Sequence, residues 1–561
     1  MMNRSPFFAS GAAAVALRAT AVLCLLTGPT WAQTDSGVRG QLAGMLQYQA
    51  MLTYFLTGQL PRTPPIPHPP LISAHPTTGA TANANESASF TEGISRAGQL
   101  ESTCDTCSIA PQGAPAAGFN ELDPFFPQFT TNSNGLGARH NSDQCFACHA
   151  QPTLGGSGGF LVPNPKQVAL RRQPPQQPEN PQFNLIPHRF GKQNIVPSFE
   201  VQFGPIREVR FIYKVDPNTG AFLTDQNGNL IFDGGVHQLW TVRGIQGDQT
   251  ITQCALTQPN FAMQLSQNNL AFRIPTPMLG LGLIDSIQDR EILMRQSLAQ
   301  QNGAAAFGIT GHPNRSGNDG TITRFGWKAQ NKSITMFAGE AYNVEMGITN
   351  ELFPTATEED SACQGIQKPE PNDVTRTQND DTGPPPNESF FNPVHILADW
   401  MQFQLLMRFT DAPQPVANPS TSAQRGAAVF NQVGCALCHT PQMMTAPLTS
   451  SAVLSNRPVN LFSDLLVHHM GPGLADGVSQ GQAGPDEFRS SPLWGIGQRI
   501  FFLHDGRTSD LLQAILAHRS NAGTGAGGLY YQASEANQVI DNFNNLSKND
   551  KQGILDFLRS L

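Results

Sequence analysis

Two short segments constrain this chain more than any other feature. Cys145-Phe146-Ala147-Cys148-His149 and Cys435-Ala436-Leu437-Cys438-His439 both read C-x-x-C-H. At this spacing two thiols add across the vinyl groups of one haem, and the following imidazole reaches its iron. Residues three and four apart lie on neighbouring faces of one helical turn, so the three side chains converge. A lone C-x-x-C also suits zinc or a redox dithiol. Two copies, each followed by histidine, predict two covalently bound haem c groups held by Cys145, Cys148, Cys435 and Cys438, with His149 and His439 as proximal ligands.

The N-terminus agrees with that chemistry. Arg4 and Arg18 precede an apolar run from Ala19 to Leu26, and Thr30-Trp31-Ala32 offers a small-residue cleavage site. The expectation is a signal peptide over residues 1–32 and a periplasmic or secreted mature protein. The run is too short to span a bilayer, and no later segment reaches ~18 apolar residues, so no membrane span is expected. Cys24 lacks the small residue that precedes a lipidated cysteine. Cys104, Cys107, Cys254 and Cys363 then remain in an oxidising compartment. They predict a Cys254–Cys363 bridge and a local Cys104–Cys107 bridge. A redox-active Cys104-Asp105-Thr106-Cys107 is the alternative, although no thioredoxin-like pattern surrounds it.

Only 14% of the 561 residues are charged, and 52 glycines and 44 prolines imply long irregular connections. The formal charge of −8 provides no basic surface for nucleic acid and leaves a basic or neutral electron donor open. Leu42 to Leu56 is helix-like, Leu60 to Pro76 is a proline-rich linker, and Thr77 to Gly118 is small, polar and loop-like. Between residues 199 and 243 the pattern turns to period two. Val209, Phe211, Tyr213 and Val215 alternate, and the turns Asp216–Gly220 and Asp225–Asn229 follow, which reads as β-hairpins. Ile287 to Leu298 reads as helix. Residues 366–389 are rich in Pro, Asn, Asp and Thr and form a linker. Ile396, Trp400, Phe403 and Met407 mark one helix face, and Ser547–Asp550 is a capping box leading a last helix.

The fold expected is mainly α, with two cytochrome c-like haem lobes, long loops and an inserted β-hairpin region. The boundaries are 33–118 for an N-terminal extension and linker, 119–365 for the first haem domain, and 390–561 for the second. On the second haem, Leu511, Ile515 and His518 share a helix face, so His518 is the distal candidate. Met470, in Val467-His468-His469-Met470-Gly471, is its rival; histidine ligation gives the lower potential.

Cys435–Thr440, Leu465–Pro472, Pro492–Gly497 and Phe502–Arg507 together resemble the di-haem oxidoreductase family. That family is related to bacterial di-haem cytochrome c peroxidases, the di-haem methylamine dehydrogenase maturation enzyme and, more distantly, di-haem rubber oxygenases. The resemblance spans about residues 130–360 and 390–561. It implies a peroxidase-type enzyme in which one haem passes electrons to a catalytic haem. In the peroxidases the electron-transfer haem takes a distal ligand, typically methionine, from the helix after the motif matching Phe502–Arg507. His518 stands at that position here, a departure that puts a high-potential haem in doubt.

Arg324–Ala329 and Glu345-Met346-Gly347 resemble the stretch with an inter-haem tryptophan and a distal glutamate, which implies Trp327 as electron relay and Glu345 as general acid–base. By themselves they read as a core tryptophan and a solvated helix acid. His188 is a candidate cap on the first haem, while His140 and His504 read as structural or propionate-binding. Phe272–Pro277 and Gly280–Asp285 form a further matching block, read as a packed turn ahead of a helix. Calcium between the lobes, seen in related peroxidases, receives no residues. The implied partners are a small redox protein or other electron donor, and peroxide or another small oxidant. The alternatives are an oxidase that activates dioxygen or acts on an organic or protein substrate, and a pure electron-transfer cytochrome.

Overall fold

The computed structural model describes residues 69–98, 100–102, 132–134, 137, 139–142, 144–158, 180–184, 195–241, 256–354, 399–448 and 450–561. The leader, the Leu42–Leu56 patch, the 366–389 linker, His188, Cys24, Cys104, Cys107, Cys254 and Cys363 lie outside these residues. The described residues form helices joined by long connections and small two-stranded sheets. No described helix is long and apolar enough to cross a membrane.

A helix occupies a stretch that reads as loop. The Glu86 N–H donates to Asn83 Oδ1 at 3.0 Å, and the Asn83 N–H donates to Glu86 Oε2 at 2.8 Å. This reciprocal cap starts α1 (Ala84–Gly98). Its apolar face is thin, with Phe90 and Ala97 buried and Ile94 partly so. Tertiary packing therefore stabilises a helix whose own pattern is weak.

The first haem motif forms α2 (Cys145–Cys148), a single turn. β1 (Glu208–Phe211) pairs antiparallel with β2 (Leu270–Arg273), Val209 opposite Phe272. Phe272 and Arg273 are thus strand, and the packed-turn reading holds only beyond them, where Leu281–Asp285 is helical. The period-two stretch pairs mostly through single bridges: Val215 with Phe222 across one turn, Thr224 with Leu230 across the next, and Tyr213 with Phe232. α3 (Asp289–Gln301), α4 (Ile334–Met346) and α5 (Asp399–Phe409) follow.

α6 (Thr421–Val433) runs into the second motif. It crosses the last helix closely: an ideal Cβ on Gly426 would stand 1.8 Å from the Gly553 carbonyl oxygen, so only glycine fits there. β3 (Val467–His469) pairs antiparallel with β4 (Glu487–Arg489). The chain closes with α7 (Leu511–Leu516), α8 (Asn537–Asn544) and α9 (Lys548–Ser560), whose N-cap Ser547 accepts from the Asp550 N–H.

One core joins Phe146, Phe211, Trp240 and Tyr342 with Trp400, Phe403 and Met407 of α5 and with Met443, Val459 and Leu466. α5 therefore packs into the core of the first haem motif, although it follows the linker. A second core joins Val429, Phe430, Leu511, Phe543, Ile554, Leu555 and Leu558 beside the second motif.

Candidate functional site

α6 delivers Cys435 at a 3-10 turn, and the His439 N–H closes onto the Cys435 carbonyl at 2.9 Å. Cys435, Cys438 and His439 line a largely apolar cavity of about 200 Å³, with His518 and Met470 also on its wall. His439 Nδ1 lies 3.1 Å from the Phe462 carbonyl oxygen. A carbonyl can only accept, so Nδ1 carries the proton and Nε2 keeps its lone pair. His518 repeats this arrangement: its Nδ1 donates to the Ala514 carbonyl at 2.8 Å, one turn back on α7. Asp510 caps that helix by accepting from the Leu512 and Gln513 amides. Burial, and then the nearness of His518, lowers His439 to about 4, and burial lowers His518 as well. Two neutral imidazoles thus face one cavity, as ligands of one iron must. Met470, the other candidate, is buried on the same wall.

A second cavity of about 120 Å³ is lined by Cys145, Cys148 and His149. His149 Nδ1 donates to the Gly156 carbonyl at 3.0 Å, and burial lowers the ring to about 4. The glycine-rich turn explains how that carbonyl comes so near. A Cβ on Gly156 would stand 2.0 Å from the Gln151 carbonyl oxygen. Met278, Met346 and Met407 line this cavity, but among the described residues no second histidine does.

Glu345, in the last turn of α4, lies on the wall of this cavity. Asn141 Nδ2 donates to its Oε2 at 2.9 Å. Glu208 lines the same cavity, and its Oε1 accepts from Arg210 Nε at 2.5 Å. Burial first, and then the Glu208 charge, raises Glu345 to about 8. Burial also raises Glu340 on the same wall, against the pull of Arg210.

Trp327 lines both cavities and is 8% exposed. Its indole N–H donates to the Ile274 carbonyl at 2.8 Å, and the Ile274 N–H donates to the His504 carbonyl at 2.7 Å. The His504 ring meets Trp327 edge-on at 6.4 Å and stacks on Phe488 at 4.2 Å. Lys328 Nζ sits 4.0 Å over Phe488 and 3.2 Å from Asp476, which also pairs with Arg273 at 2.7 Å. No sequence motif assigns a role to Glu208, Arg210, Arg273 or Asp476. Arg273 and Asp476 pair across some two hundred residues, and only the fold brings Glu208 and Arg210 of β1 to the wall that carries Glu345, so no local spacing marks them.

The residues suit haem at both places. Each cavity joins a cysteine pair to an imidazole whose Nδ1 is tied to a carbonyl. Nε and Nη2 of Arg499 are buried without a hydrogen-bond partner among the described residues, and Arg499 lines the first cavity described, where carboxylates such as haem propionates would satisfy them. His468 is held between Glu535 at 2.9 Å and Asp464 at 3.0 Å, next to Cys438 Sγ at 3.8 Å, which ties the second motif to its surroundings. Among the described residues no group of three or more His, Cys, Asp or Glu side chains is placed to hold a metal ion, and calcium still receives no residues.

Two such cavities with one tryptophan in both walls define a protein built to hold a pair of haems. Residues 251–561 match the family described as "di-haem oxidoreductase, putative peroxidase". The chain belongs to that family, and oxidoreductase chemistry with two haems goes with it. No curated protein matches the chain. Among solved structures it is similar to a MauG-like protein associated with microbial copper homeostasis, at 16% identity over 45% of this chain and 79% of that one, with a TM-score of 0.26. It is also similar to a hydrazine synthase of Kuenenia stuttgartiensis, at 18% identity over 30% of this chain and 56% of that one, with a TM-score of 0.18.

Proposed function

We propose that this chain is a periplasmic di-haem c oxidoreductase of peroxidase type, supplied with electrons by a small redox protein or another donor. Cys435 and Cys438, and Cys145 and Cys148, would hold the two groups, with His439 and His149 as proximal ligands. Haem so bound supplies one-electron chemistry at both cavities and an iron that can take a small oxidant such as peroxide. The observation that carries the assignment of roles is an asymmetry. The cavity of His439 has a second neutral imidazole, His518, whereas the cavity of His149 has the high-pKa acid Glu345. A cavity with two histidines would suit a haem that receives electrons, and a cavity that sets one histidine beside a protonated acid would suit a haem that supplies chemistry.

Glu345 remains protonated to about pH 8 and holds that proton at the cavity wall, where a departing peroxide oxygen would need it. Trp327 supplies an aromatic ring common to both walls, fixed by the Ile274 carbonyl. Export fits the attachment of c-type haem outside the cytoplasm.

Denaturing mass spectrometry of purified holoprotein tests the covalent linkage and should show two haems added to the chain. Electron paramagnetic resonance should then show a low-spin haem and a high-spin five-coordinate one, with peroxide consumed at the expense of a reduced donor. Two low-spin haems before and after partial reduction, with no peroxide turnover, would overturn the reading in favour of a pure electron-transfer cytochrome.

A further inference from the structure

Three buried arginines of this chain each meet a carboxylate: Arg210 meets Glu208 at 2.5 Å, Arg273 meets Asp476 at 2.7 Å, and Arg324 meets Asp289. Among the described residues Arg489 and Arg499 meet none. Arg489, at the end of β4, is 8% exposed, and its Nε donates to the Gly326 carbonyl at 3.0 Å. Its backbone N–H donates to the Trp327 carbonyl at 2.9 Å. The Arg499 guanidinium lies 6.0 Å from the centre of the Trp327 ring, with Nε and Nη2 buried and unpartnered among the described residues. Both arginines line the cavity of His439, and both line a cleft of about 30 Å³ that carries Trp327 in its wall. Gly326 and Thr276 of that cleft also line the cavity of His149, so the two cations flank the tryptophan between the cavities.

No acid lines the cleft. Glu535, on the wall of the His439 cavity, is taken by His468 at 2.9 Å and by Thr310 Oγ1 at 2.8 Å. Burial pulls both guanidinium groups down to about 10, and no carboxylate opposes it. A buried cation without a counter-charge is costly, and a guanidinium fork matches the two oxygens of a carboxylate. We infer that Arg489 and Arg499 form a carboxylate site beside Trp327, filled by a propionate of the haem that Cys435 and Cys438 would hold. The inference rests on the reading that this cavity holds haem. A free small acid offers the same chemistry, so the test separates the two sources. Arg499 is also a positioning residue for that haem, and its charge favours the reduced, less positive iron.

Holoprotein with haem isotope-labelled at the propionate carboxyls tests the site, read by infrared difference spectra between oxidised and reduced forms. The labelled carboxylate bands should shift in Arg489→Gln and in Arg499→Gln. Haem content and the low-spin absorption should stay. The midpoint of this haem should fall by about 59 mV in Arg499→Gln, an about tenfold change in the ratio of oxidised to reduced haem. Arg499→Lys keeps the charge without the fork, so it should restore most of the midpoint and leave the bands displaced. If Arg489→Gln fails to fold because the Gly326 carbonyl loses its donor, Arg499→Gln alone decides. Bands and midpoint both unmoved in Arg499→Gln would overturn the site. Unmoved bands, with added acetate shifting the midpoint of the wild type but not of Arg499→Gln, would overturn propionate as the occupant in favour of a free acid. Mass spectrometry of the peptide containing Cys435 and Cys438 separates the two readings. Its lack of haem would overturn the haem reading itself, whereas haem present with unmoved bands and midpoint overturns the arginine site alone.

Discussion

His439 and His518 face the same cavity with the same ring atom tied down, Nδ1 of one to the Phe462 carbonyl and Nδ1 of the other to the Ala514 carbonyl. Each keeps Nε2 as its available nitrogen. This matched pair makes His518, ahead of Met470, the residue that would join His439 in holding a haem there.

Replacing His518 therefore has a defined outcome. His518→Met should keep a six-coordinate haem and raise its potential, because thioether ligation favours the reduced iron. His518→Ala should leave a high-spin component in its place. Met470→Leu, a volume-conserving change, should alter neither spectrum and should cost under about 1.5 kcal/mol in stability. Redox titration followed by absorption checks all three. A ligand loss seen in Met470→Leu but not in His518→Ala would reverse the assignment.

Trp327 offers a second test because its ring and its N–H have separable duties. Trp327→Phe keeps an aromatic ring but leaves the Ile274 carbonyl without its indole donor. A buried acceptor left alone costs about 1–3 kcal/mol, measurable by denaturant unfolding. If the indole is the relay, electron transfer between the two haems in single-turnover mixing should slow by about tenfold, equal to about 1.4 kcal/mol on the barrier, while both haem spectra stay unchanged. Equal rates in the two proteins would leave Trp327 as a core residue.

The parts of the site that were legible in the sequence are those encoded by local spacing. The cysteine pairs with their histidines, the His518 face and the Ser547 cap each occupy a few consecutive residues. α1 escaped because Ala84 to Gly98 carries few large apolar residues, and its only strong marker is the Asn83–Glu86 cap. The strand at Leu270–Arg273 escaped because its partner, Glu208–Phe211, lies some sixty residues earlier in the chain. Glu208 escaped for the same reason, since only tertiary folding brings β1 to the end of α4. Motifs record chemistry that neighbours in sequence perform together; charge pairing across the fold leaves no such trace.

Lys328 carries one of these unmarked pairings. It is 0% exposed, and its ammonium contacts Asp476 at 3.2 Å and the Gly484 and Glu487 carbonyls at 2.9 Å each. Burial pulls Lys328 down to about 8, while Asp476 works to keep it charged. Lys328→Met should cost about 3–5 kcal/mol, because two buried carbonyls and part of a buried carboxylate lose their cation. The retained Arg273–Asp476 contact places the loss toward the lower end. Urea unfolding of the holoprotein measures it, and a loss within ~0.5 kcal/mol would show that Arg273 alone neutralises Asp476.

The pH dependence of the His149 cavity follows from Glu345. Its folded pKa, about 8, lies above the ordinary carboxylate value, so the folded state binds the extra proton between those two values. The resulting stabilisation is fully present below the ordinary carboxylate range and is lost as pH rises through about 8. Activity should run the same way, since an acid must be protonated to donate. Peroxide turnover should therefore fall on the alkaline side of about pH 8, and Glu345→Gln should remove that limb together with most of the turnover. Glu345→Asp keeps the acid but retracts it from the cavity, so it should preserve the limb at a reduced rate. A limb that persists in Glu345→Gln would assign the ionisation to another group, with Glu340 on the same wall the next to replace.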